Sequence, residues 1–130
     1  MTDECMPHFD APDLGATLAA MSEADLDGLD FGVIGFDGET LVTLYNVFES
    51  HCAGLSRERV VGHALFTTVA PCMNNFLVAQ RFEDAHASDE PLDATIDYVL
   101  TLRMRPVKVR LRLIAEPRAA ARYVLVHRPS

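Results

Sequence analysis

Two rhythms of apolar and polar residues divide this chain. In ATIDYVLTLRM (94–104), Ile96, Tyr98, Leu100 and Leu102 share one face, the period of a half-buried strand. VKVRLRLIA (107–115) sets Val107, Val109, Leu111 and Leu113 against Lys108, Arg110 and Arg112, and RYVLVHR (122–128) closes the chain with a third such run. These three predict antiparallel strands with one wet face. Earlier, FGVIGFD (31–37) and TLVTLYN (40–46) flank Asp37-Gly38, a hairpin signal. Helical spacing governs the rest. Leu14, Leu18, Met21 and Leu26 within 13–28 predict one or two short helices ending at Gly28. SRERVVGHALF begins with Ser56 as a helix cap. NFLVAQRFEDAHA (75–87), with Phe76, Leu77, Ala79 and Phe82, predicts a longer amphipathic helix.

The order is helical cap, two strands, several short helices, three strands. Runs of this kind, unlike strict alternation of strand and helix, predict an α+β fold: a five-stranded antiparallel sheet with helices on one face and an N-terminal helical cap. Residues 1–28 form the expected cap and 29–130 the core of a single domain, since 130 residues suffice for one core. The arrangement resembles a PAS-type sensor domain, which implies concave apolar space between sheet and helices.

Composition narrows the function. Apolar residues make up 49% of the chain, which excludes global disorder. The sequence shows neither a long apolar run nor a basic stretch leading into an apolar one, so no transmembrane helix and no signal peptide is expected. Three cysteines argue for a reducing compartment, and the cytoplasm is the expected location. The first basic residue is Arg57, after a wholly acidic or neutral segment, while the tail is rich in arginine. A net charge of −8 opposes general nucleic-acid binding. The basic stripe either packs near the acidic segment or docks a partner. The expected partner is a downstream signalling protein, with the chain a monomer or weak dimer and neither nucleic acid nor membrane involved.

Cys72 lies in VAPCMNNF, between a proline and a polar run. Together with LDGLDFGVIGFDG, Tyr45-Asn46 and Glu49, this segment resembles the photoactive yellow protein family of bacterial blue-light receptors, from about Leu26 to the last strand. Tyr45, Glu49 and Cys72 stand at the mutual separations of that family's chromophore-binding trio. Tyr98 and Met104, in DYVLTLRMRP, match positions beside the chromophore. The resemblance implies p-coumaric acid joined to Cys72 as a thioester, its phenolate hydrogen-bonded by Tyr45 and by a protonated Glu49. It further implies that light isomerises the double bond, Glu49 gives up its proton and the N-terminal cap loosens. Two positions depart from the family: Ala53 stands where a threonine is usual, and Leu55 where an arginine is usual.

The residue types suit that chemistry. A thioester forms from a thiolate, so Cys72 must be reachable. A buried phenolate requires hydrogen-bond donors, which a neutral carboxyl in an apolar site can supply. Each residue also has a plainer use. Cys72 alone reads as a small packed hydrophobe, Tyr45 and Tyr98 as core aromatics, Met104 as strand packing and Cys52 as a buried filler. Cys5-x-x-His8 with His51-Cys52 would make a four-ligand metal set on paper, but lacks finger-like spacing. Two other function classes therefore stand beside the photoreceptor. One is a PAS-fold sensor or interaction module with another ligand or none. The other is an enzyme using Cys72 for acyl transfer, which lacks a neighbouring base because the nearest histidine is His63.

Overall fold

The computed structural model describes residues 7–101, 106–116 and 121–128. Helices α1 (Leu14–Ala20) and α2 (Glu23–Asp27) come first, then strands β1 (Gly32–Phe36) and β2 (Val42–Tyr45). Helices α3 (Val47–Ala53) and α4 (Arg57–Val60) follow, then a π-helical turn, Leu65–Val69, and a 3-10 turn, Pro71–Met73. Helix α5 (Ala79–Ala87) leads to β3 (Leu92–Leu100), β4 (Val107–Glu116) and β5 (Ala121–His127). The strands form one antiparallel sheet in the order β2-β1-β5-β4-β3. This is the α+β, PAS-like arrangement that the element order predicted. No helix among the described residues is long and apolar enough to cross a membrane.

Each sheet face has its own core. On one, Ile34 and Phe36 of β1, Leu111 and Leu113 of β4, and Val124 and Val126 of β5 pack against Phe66, Met73, Val78 and Phe82. Phe36 meets Phe66 and Phe82 edge-on, at centroid distances of 5.5 and 4.9 Å, a favoured aromatic geometry. On the other face, Leu14, Leu18 and Leu26 of the N-terminal helices cover Phe31, Val33, Ile114, Tyr123 and Leu125.

That second core corrects the expectation of a uniformly wet face. It holds for β3, where Thr95, Asp97 and Val99 are exposed. On β4 it fails at Arg112, which is only 7% exposed. The Arg112 guanidinium donates to both oxygens of Asp93 (2.8 Å each) and to the carbonyls of Phe9 (2.9 Å) and Ala11 (2.8 Å). An alternating arginine reads as solvated, yet here it straps the N-terminal segment to the sheet, and a guanidinium tolerates this because four of its five N–H donors are engaged, two of them by the Asp93 carboxylate.

Three boundaries also differ. Helix α5 starts at Ala79 and not at 75, because the Asn75 carboxamide oxygen accepts from the amides of Leu77 (3.0 Å) and Val78 (3.2 Å), closing a turn that competes with helix. Phe76, expected on the apolar face of that helix, is 77% exposed as a result. After Ser56 the helix lasts only through Val60, and Ser56 makes no side-chain capping bond. Strand β3 runs from Leu92 to Leu100, and positions 102–104 of the expected strand lie outside the described residues.

Candidate functional site

Tyr45 ends β2, and the next residue, Asn46, caps α3. The Asn46 side-chain oxygen accepts from the amides of Val33 (3.0 Å) and Glu49 (3.1 Å), and its amide nitrogen donates to the carbonyls of Leu26 (2.9 Å) and Phe31 (3.1 Å). One buried side chain thereby joins the end of α2, the start of β1 and the first turn of α3. An asparagine suits this junction because it has donors and acceptor at one tip. It fixes Glu49 on the first turn of α3, facing β1. Gly32 is the residue opposite, and a Cβ there would overlap the Glu49 carboxyl oxygen. Its lack of a side chain is what lets the carboxylate lie against the strand.

Glu49 is only 1% exposed. Both of its oxygens accept from Arg128, which directly follows β5, at 2.7 and 3.0 Å. Burial pushes the Glu49 carboxyl above its ordinary value, and the guanidinium opposes that shift. Tyr45 is equally enclosed at 2% exposure, and its hydroxyl has no hydrogen-bond partner among the described residues. Burial pushes the Tyr45 phenol up, and the nearby Glu49 charge adds to the shift.

Cys72 is a free, partly exposed thiol in the Pro71–Met73 turn. Tyr98 of β3 donates its hydroxyl proton to the Cys72 carbonyl and accepts from the Asn75 amide at 2.7 Å, and Asn75 also reaches that carbonyl at 3.3 Å. Cys72 lines a cavity of about 740 Å³ together with Ala53, Leu55, Val60, Val69 and Thr101, a size typical of small-molecule sites. Arg59 also lines it and is the charged residue of the described wall. Tyr45 and Glu49 do not line the cavity. Ala53, one helical turn beyond Glu49 on α3, does line it.

Of the five residues singled out in the sequence, Tyr45, Cys72 and Tyr98 belong to the helix-side core or pack against it. Glu49 lies against Gly32 of β1 and is held by Arg128, and Met104 lies outside the described residues. Cys52, expected as a buried filler, is exposed, because α3 turns it outward while Glu49 and Ala53 face in. The sequence reading missed Asn46, Arg59 and Arg128. Asn46 could have been found as a cap residue three positions before Glu49; Arg128 gave no local signal. Among the described residues no group of three metal-ligating side chains assembles, and Cys5 of the paper metal set lies outside them.

Known proteins resemble the chain in both sequence and fold. It is 34% identical over 106 residues to the photoactive yellow protein of Halochromatium salexigens, spanning 82% of this chain and 84% of the relative. The chain belongs to the photoactive yellow protein family. The photoactive yellow protein of Rhodothalassium salexigens is 32% identical over 83% of this chain and 86% of its own. The solved photoactive yellow protein domain of the sensor histidine kinase Ppr from Rhodospirillum centenum superposes with a TM-score of 0.79 at 35% identity, covering 87% of this chain and 98% of that one. The PAS domain of the Cronobacter turicensis quorum-sensing receptor RpfR, solved with BDSF, shares the fold alone, at a TM-score of 0.60 and 11% identity over 78% of this chain and 96% of that one. No family model matches the sequence. The relatives named are photoactive proteins and sensor domains, and this chain is a PAS-fold domain of the photoreceptor type.

Proposed function

We propose that the chain is a cytoplasmic blue-light receptor that carries p-coumaric acid as a thioester on Cys72 and signals to a downstream protein. The observation that carries this reading is the Tyr45 hydroxyl, a buried donor with no partner among the described residues, in the same core as a reachable thiol and its cavity. Buried polar groups are nearly always satisfied, so an orphan of this kind fits a site shaped for an acceptor. A p-coumaroyl group would supply that acceptor in its phenolic oxygen, together with a double bond that light can isomerise.

The chain's own residues then have defined tasks. The Cys72 thiolate attacks the carbonyl of an activated acyl donor; a carbon–sulfur bond forms as the donor's leaving group departs, and the thiol proton goes to solvent. Tyr98 and Asn75 hold the turn that presents the sulfur. Tyr45 donates to the phenolic oxygen. Glu49 holds a proton in the dark, helped by the burial that raises its carboxyl above the ordinary value, and gives it up after illumination, when charge relocated beside it changes that balance. Because Asn46 bonds both the Glu49 amide and the Leu26 carbonyl, strain at the new anion reaches the seat of the N-terminal cap, which loosens.

Intact-mass measurement after incubation with activated p-coumaric acid tests the reading. The wild type should gain one acyl group and visible colour, and Cys72→Ala neither. Uptake of acyl groups without colour, or none at all, leaves a PAS-fold sensor for another ligand as the account to adopt.

A further inference from the structure

We infer that Arg128 is the counter-ion of the Glu49 carboxylate, holding it when the site carries no ligand and receiving it again whenever Glu49 gives up its proton. The second half rests on the receptor reading above; the first stands without it.

The geometry is that of an ionised acid. Both Glu49 oxygens accept from the two terminal nitrogens of Arg128, at 2.7 and 3.0 Å. A neutral carboxyl would turn an O–H towards a group that can only donate. The side chains are 2% and 16% exposed, so the pair is poorly screened by solvent. The other titratable groups acting on the pair are Tyr45, from β2, and Cys52, from α3 itself. Neither carries a positive charge, and β1 has no titratable side chain. Arg128 is therefore the cation that faces Glu49 among the described residues.

Placement ties this pair to the N-terminal segment. His127, the residue before Arg128, lies with its ring 5.2 Å from that of Phe9, whose carbonyl is held by Arg112. The end of β5 thus touches the buried acid on one side and the N-terminal segment on the other. When Glu49 is protonated the guanidinium loses its partner, and when Glu49 ionises it regains one. A buried carboxylate without a partner is costly, so the lifetime of an ionised Glu49 depends on this arginine.

The test begins with ligand-free protein, in which Glu49 is titrated through its side-chain carboxyl carbon by NMR. Arg128→Gln should raise the midpoint by at least about one pH unit, a tenfold change in the ionised fraction. Arg128→Lys, which keeps the charge but not the two-pronged contact, should fall between. An unchanged midpoint in a folded Arg128→Gln protein, judged by its amide spectrum, overturns the inference. If Arg128→Gln does not fold, a midpoint in Arg128→Lys equal to that of the wild type overturns it too. In acylated protein, Arg128→Gln should return to the dark state about tenfold faster than wild type, because the proton goes back to an acid that lacks its counter-ion. An unchanged return rate removes the second half only, while failure of acylation counts against the receptor reading and leaves the ligand-free result to decide the first half.

Discussion

The hydroxyl of Tyr98 donates a hydrogen bond to the main-chain carbonyl of Cys72, so that strand β3 pins the turn that presents the thiol. Asn75 braces the same hydroxyl and the same carbonyl. Tyr98→Phe removes this clamp without opening a large void. It should cost about 1 kcal/mol of stability, the net worth of a typical hydrogen bond. It should also speed reaction of Cys72 with a thiol reagent, read by mass spectrometry of the labelled peptide.

Cys52 supplies a built-in control. It is exposed, whereas Cys72 is partly buried beside a cavity. A general thiol reagent should label Cys52 readily, yet activated p-coumaric acid should colour only protein that retains Cys72. Cys52→Ala should keep full colour, measured by absorbance after reconstitution.

Glu49 gives stability a defined pH dependence. Burial raises its folded-state pKa above the ordinary carboxylate value of 4.5. As pH rises through that ordinary value the unfolded chain loses its proton first, so the folded state binds more protons and stability falls with pH. The fall ends at the raised folded value. Relative to Glu49→Gln, the ligand-free wild type should therefore lose stability with rising pH across that window and run parallel outside it, as urea titrations at a series of pH values would show.

Ala53 and Leu55 wall the cavity, at positions where the family resemblance implies a threonine and an arginine. With fewer donors nearby, a phenolate in this site should bleach towards its protonated, shorter-wavelength form at mildly acidic pH. Ala53→Thr combined with Leu55→Arg should move that bleaching to lower pH in an absorbance titration.

Much of this was legible in the sequence, and the reasons are physical. Period-two runs located β3, β4 and β5, because alternation is forced by the pleat. Tyr45, Glu49 and Cys72 drew attention only because their separations resemble those of the photoactive yellow protein family's chromophore-binding trio. Arg112 and Arg128 misled or escaped notice for one reason: a guanidinium in a strand reads as solvated unless its partners are known. Those partners, Asp93 with the Phe9 and Ala11 carbonyls, and Glu49, are brought in by tertiary structure from far along the chain. Cys52 escaped for the opposite reason, since a short helix such as α3 has too few turns for its periodicity to say which side faces out.

Light is proposed to act on a group held by Cys72, and flash absorbance spectroscopy of the reconstituted protein reads that action out. A blue flash should bleach the visible band, which should then recover fully in the dark over repeated cycles. Protein lacking the Cys72 thiol should show no band to bleach. A visible band that persists unchanged under blue light would mean that the protein is not a light receptor.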